Sequence, residues 1–154
     1  MPPRSGGVLL YRRSAGDLEV LLGHPGGPFY TKKDDGVWTI PKGELEPGED
    51  EPAAAVREFT EEMGSAPREG TPLPLGEAKQ SGGKVNVVWA LAGDFEVASL
   101  RSNTFPMEWP PRSGHLQQFE EIDRVAWFDL DMARRKLRPA QLPFLDRLIS
   151  VLGG

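Results

Sequence analysis

The 154-residue sequence contains no cysteine. That absence removes disulfides, thiolate metal ligands and a thiol nucleophile together. No apolar run approaches the roughly 18 residues needed for a membrane-crossing helix. The opening MPPRSGGVLLYRR has an apolar stretch too short for a secretory signal, so a cytoplasmic location is expected. An excess of basic side chains is missing too. Lys and Arg number 18 against 23 Asp and Glu, a net charge of −5. Stable nucleic-acid binding needs the opposite balance. A small phosphorylated ligand remains compatible, because a bound metal can neutralise its charge.

What is present suits one folded domain spanning residues 1–154. Hydrophobic residues make up 38% and charged residues 27%, a globular balance. The 18 Gly and 15 Pro are spread as punctuation rather than as a repeat, which implies many turns and long loops. Residues 6–13 and 18–24 read as two strands around the turn SAGD. Residues 25–36 form a long loop, a length that is often functional. VWTI reads as a short strand before Pro41, and GELEPGED as a turn-rich loop. A helix is expected from Asp50 or Glu51 to about Met63, with Pro52 in its first turn and Gly64 as its stop. Residues 84–93 alternate as a central strand, residues 99–119 read as irregular, and VAWFDL reads as a late strand. DMARRKL and PAQLPFLDRLISVL then form two helices, the second with its apolar side at Leu142, Leu145, Ile149 and Leu152.

The acidic helix has two faces. At about 100° per residue, Ala55, Phe59 and Met63 form one apolar stripe, joined by Val56. Glu58, Glu61 and Glu62 gather on the other side, where like charges repel. Only Arg57 stands beside them. A hard cation such as Mg²⁺ prefers oxygen ligands, and three carboxylates on one face supply them.

This segment resembles the Nudix box, G-x5-E-x7-R-E-U-x-E-E-x-G-U, where U is a bulky apolar residue. Gly43, Glu49, Arg57, Glu58, Phe59, Glu61, Glu62 and Gly64 stand where the pattern asks, while Ser65 replaces the final apolar residue. The resemblance implies an α/β fold of the α+β kind, an α/β/α sandwich with a mixed sheet between helices. It also implies hydrolysis of a nucleoside diphosphate-linked compound with Mg²⁺ or Mn²⁺. By similarity Glu58, Glu61 and Glu62 are metal ligands, and Arg57 orients them by pairing with Glu49. Many members carry a further glutamate before a late strand, here Glu121, which the resemblance makes a metal ligand or general base. Glu58 is the alternative base.

The flanks bear on the substrate. WTIPKGELEPGE is similar to the entry segment of Nudix enzymes that cut dinucleoside polyphosphates and of those that cut diphosphoinositol polyphosphates. The second class would want more basic residues than a −5 chain supplies. Lys42 would hold an outer phosphate, Tyr30 and Trp38 would offer aromatic faces, and Lys32 with Lys33 would grip a phosphate tail. Trp109, Arg112 and His115 in the Pro-rich segment would face the substrate across the cleft. The expectation is a small-molecule nucleotide hydrolase, monomer or homodimer, acting on a dinucleoside polyphosphate. Two alternatives stay open: a nucleoside triphosphate or oxidised-nucleotide pyrophosphatase, and a silent nucleotide-sensing domain.

Overall fold

The computed structural model describes residues 3–67, 70–80 and 82–153. Strands β1 (Arg4–Ser14) and β2 (Asp17–Pro25) form a hairpin, with Ser14 opposite Asp17 across the two-residue turn Ala15-Gly16. β3 (Lys42–Glu44) is followed by helix α1 (Glu51–Met63). β4 (Leu73–Lys79) and β5 (Val85–Ala92) come next, then β6 (Thr104–Glu108), β7 (Leu116–Glu120) and β8 (Ile122–Asp129). Helices α2 (Leu130–Lys136) and α3 (Leu142–Val151) close the chain, with a single 3-10 turn at Pro139–Gln141 between them.

The main sheet runs β4-β5-β1-β2-β8, with β3 added to β1. It is mixed: β1 is parallel to β5 and antiparallel to β2 and β3. Side chains alternate across a strand, so neighbouring residues enter opposite layers. Val8 and Leu10 of β1 join Val87, Trp89 and Leu91 of β5 beneath Ala55, Phe59 and Met63 of α1. Leu9, Val88 and Ala90 point the other way, against Ala133 of α2 and Phe144, Leu145 and Leu148 of α3. The sheet therefore lies between two helical layers, as the resemblance implies. Among the described residues no helix is long and apolar enough to cross a membrane.

Several elements differ from the sequence expectation. VWTI is not a strand; Trp38 and Thr39 make only isolated bridges, to Leu137 and Gly23. The interval 99–119 is not irregular throughout, because β6 and β7 pair as a separate two-stranded sheet from Thr104↔Glu120 to Glu108↔Leu116. Gly43 and Glu44, read as the start of a loop, pair with β1 together with Lys42, and β4 is a further strand the sequence reading lacks. The buried side of α3 is Phe144, Leu145 and Leu148, with Leu142 and Leu152 partly buried beside it.

The split beside β1 positions the site. Its Ser5–Gly7 segment pairs with β3, and its Tyr11–Ser14 segment with β2. Between the two partners, Thr39 bridges Gly23 and Pro41 O accepts the Val8 amide, so the segment leading into β3 lies there.

Candidate functional site

Helix α1 begins and ends where local chemistry dictates. Asp50 accepts a hydrogen bond from the Ala53 amide at 3.2 Å, and Gly64 at φ 87° donates its N–H to Thr60 O. The apolar stripe docks on the sheet, which fixes the rotation of the acidic side. Gly43 of β3 lies directly over that side. A Cβ on Gly43 would fall 1.9 Å from Glu58 Oε2, so any other residue here displaces the Glu58 carboxylate.

Arg57 spans the acids. Its Nη2 pairs with Glu49 Oε2 at 2.9 Å, while Nη1 lies 3.3 Å from Glu58 Oε1 and 3.4 Å from Glu61 Oε1. Glu49 in turn accepts the Glu46 amide. The expected Arg57–Glu49 pair is present, and the loop is tied to the helix through it. Glu62 is turned inward and accepts the Lys42 amide at 3.1 Å. Burial pushes the Glu62 carboxyl up to about 7, with further upward pressure from Glu121 and Glu58. Glu58 is also raised, chiefly by burial. Glu121, in the bend between β7 and β8, is near enough for its charge to act on the Glu62 carboxyl. Its backbone is held there by Gly26 N–H to Glu121 O and Glu121 N–H to Asn103 O.

Among the described residues no three His, Asp or Glu side chains converge as a ready-made metal site. Glu58 and Glu61 lean on Arg57 instead. The donor set still fits a hard divalent cation. It is all oxygen, and Glu62 ionises against burial and two neighbouring carboxylates, a cost that a bound cation would offset.

On the other side of Lys42 the charge reverses. The Lys42 side chain is pushed down to about 8, first by burial and then by Lys84, with Arg138 acting the same way. These three cations line a cavity of about 210 Å³ with Glu62, Thr39, Ile40, Gln80 and Gln141. A second cavity of about 440 Å³ shares Gln80, Arg138 and Gln141 with it and extends to Tyr30. Gln141 is buried; its Oε1 accepts the Ile40 amide at 2.9 Å and its Nε2 donates to Thr39 at 3.0 Å. That pins the segment bearing Arg138 against the approach to β3. Arg138 reaches the Tyr30 ring, 5.8 Å from its centroid. The two adjoining cavities form a cleft that presents one acid, Glu62, then cations, then an aromatic ring. A similar-sized hollow lies beside Arg12 and Trp127, but Arg12 is already paired with Glu19 and Asp94.

Four expected contact residues lie elsewhere. Trp38 is 3% exposed and belongs to the core, its Nε1 bonded to Asp34 and its ring against His24 and Phe128, so it offers no face to a ligand. Lys32 is exposed and outside the cleft lining; Lys33 instead lies 5.7 Å from the Tyr30 ring centroid. Arg112 sits exposed between β6 and β7, its amide bonded to Glu108, and does not line the cleft. Trp109 packs edge-on against Phe29. Sequence reasoning missed Lys84, Arg138, Gln80 and Gln141. Arg138-Pro139, at the break between the two C-terminal helices, was the available signal.

Comparison with known proteins bears on the family and the fold. A family model described as NUDIX domain matches residues 1–148. The bis(5'-nucleosyl)-tetraphosphatase [asymmetrical] of Caenorhabditis elegans is 42% identical over 62 residues, 40% of this chain and 41% of that protein. The match thus spans less than half of that relative. A crystal structure of a C. elegans Ap4A hydrolase binary complex superposes with a TM-score of 0.64 at 24% identity, covering 99% of this chain and 98% of the other. The NUDIX domain of Shewanella oneidensis NrtR, complexed with ADP ribose, gives 0.64 at 17% identity, covering 99% and 89%. At such identities the structures speak to fold.

Proposed function

The chain belongs to the NUDIX family, and from that premise we propose a metal-dependent pyrophosphohydrolase that cuts a dinucleoside polyphosphate, such as diadenosine tetraphosphate, to ATP and AMP. The whole chain serves as one such domain, acting in the cytoplasm. The observation that carries this reading is the order of groups along the cleft, from Glu62 through Lys42, Lys84 and Arg138 to Tyr30. A polyphosphate ending in a base presents the complementary order. The partial match to the C. elegans tetraphosphatase points the same way.

Glu58, Glu61 and Glu62 would hold the cation, with Glu121 beside them. When bound, Mg²⁺ or Mn²⁺ supplies charge neutralisation at the pyrophosphate and lowers the pKa of the attacking water. The chain's own residues do the rest. Lys42, Lys84 and Arg138 grip phosphate oxygens and orient the chain of phosphates for attack. Tyr30 stacks on a base, with the Arg138 guanidinium alongside. Arg57 keeps Glu58 and Glu61 in place by anchoring on Glu49. Glu121 is assigned to accept the proton of the attacking water, and Glu58 takes that part if Glu121→Gln leaves the rate unchanged.

The experiment is a screen of the purified protein against dinucleoside polyphosphates, nucleoside triphosphates, nucleotide sugars and inositol pyrophosphates with Mg²⁺ or Mn²⁺. ATP and AMP from diadenosine tetraphosphate support the proposal. Preferential cleavage of a nucleotide sugar or a nucleoside triphosphate overturns the substrate.

A further inference from the structure

The loop that carries Tyr30 is held by a residue with no part in the chemistry above. His24, at the end of β2, is completely buried. Its Nε2 lies 2.7 Å from the Lys33 carbonyl oxygen, and its Nδ1 lies 2.8 Å from Asp123 Oδ1 on β8. A carbonyl can only accept, so Nε2 must carry a proton. Nδ1, on the other side of the ring, faces the Asp123 carboxyl, so the imidazole is held from both sides.

The Lys33 carbonyl is a strategic point. Lys33 N–H donates to Tyr30 O at 3.0 Å, and Tyr30 N–H to Gly27 O at 3.4 Å, so residues 27–33 form consecutive turns. The far end of the loop is fastened separately, by Trp38 Nε1 to Asp34 and by the pairs of Asp34 and Asp35 with Lys136 and Arg135. Those clamps act beyond Lys33. Among the described residues, His24 is the side chain whose hydrogen bonds link the turn bearing Tyr30 to the β2–β8 pair.

We infer that His24, bracketed between Asp123 and the Lys33 carbonyl, is a positioning residue that holds the 27–33 turn so that Tyr30 faces the cleft beside Arg138 and takes the base of a nucleotide. This rests on the reading of the cleft as a nucleotide site, and it adds that the base end of the ligand depends on a bond outside the cleft. The phosphate end does not: Lys42 is placed by β3, Lys84 by the turn entering β5, and Arg138 by the segment before α3.

Two probes separate these ends. ADP carries a base and phosphates; inorganic tripolyphosphate carries phosphates alone. Their equilibrium binding is measured in EDTA for the unmodified chain, His24→Gln and Asp123→Asn, together with amide hydrogen exchange over residues 27–37. The inference predicts exchange in that segment faster by about tenfold or more, with β5 unchanged. It also predicts ADP binding weaker by about tenfold and tripolyphosphate binding within about twofold of the original. Should His24→Gln not fold, Asp123→Asn, at a partly exposed position, decides alone. Unchanged exchange overturns the bracket. Faster exchange with unchanged ADP affinity overturns its positioning role. If the unmodified chain binds tripolyphosphate but not ADP, the base-binding reading of the cleft falls, and the purpose assigned to His24 falls with it.

Discussion

The metal-binding role proposed for Glu62 sets function against stability. Its carboxyl sits at about 7 against an ordinary 4.5, because burial and two nearby acids disfavour the charge. Near pH 4 the group is protonated in folded and unfolded chains alike and contributes nothing. Between about 4.5 and 7 the unfolded chain ionises first, so folded stability falls as pH rises; above about 7 the full cost persists. In EDTA, Glu62→Gln should therefore melt level with the unmodified protein near pH 4. Above pH 7 it should melt higher, by about 1–3 kcal/mol of stability, since each pKa unit is worth about 1.4 kcal/mol. The same variant should lose Mg²⁺-dependent hydrolysis, read by phosphate or nucleotide release. Arg138→Ala makes a different prediction. It should raise KM about tenfold, with kcat within a few-fold, because it removes a ground-state grip rather than a reacting group. Neither Arg138 nor Lys84 was legible in the sequence as a site residue. Each is an ordinary loop cation until the fold brings it to Lys42. Trp38 misled for the reverse reason: an aromatic beside a functional motif looks available, yet this one fills the core under β2.

At the scale of elements, α1 was legible almost to the residue because its signals are local: an Asp cap, Pro in the first turn, an apolar stripe and a closing glycine. β3 was not, since three residues in a turn-rich stretch become a strand only by pairing with β1. β6 and β7 were hidden by prolines, Pro106 within β6 and Pro110 and Pro111 in the connection, which read as loop in one dimension. β4 carries Pro74 and Gly76 at a register shift, which spoils its alternation. The contact between β3 and α1 makes its own prediction. Gly43→Ala must displace Glu58, so kcat should fall by about 10²-fold, the scale of a misplaced catalytic group, with melting lowered far less dramatically. A circular dichroism spectrum matching the unmodified protein would show that the helix itself survives.

For the molecule as a whole, the sheet divides the work. One layer carries the acids on α1, the other carries Arg138 and Gln141 before α3, and the split beside β1 lets them meet across Lys42. A ligand that bridges these layers should stabilise the folded chain. Mg²⁺ alone should raise the melting temperature of the unmodified protein by mass action, and should not do so for Glu62→Gln. If a metal-dependent acid cluster joins a base-and-phosphate cleft as proposed, the reaction products will show it. With diadenosine tetraphosphate and Mg²⁺ or Mn²⁺, chromatography should show ATP and AMP in equal amounts, abolished by EDTA and by Glu62→Gln. Full activity in Glu62→Gln, or no cleavage of this compound alongside rapid cleavage of a nucleotide sugar, would contradict it.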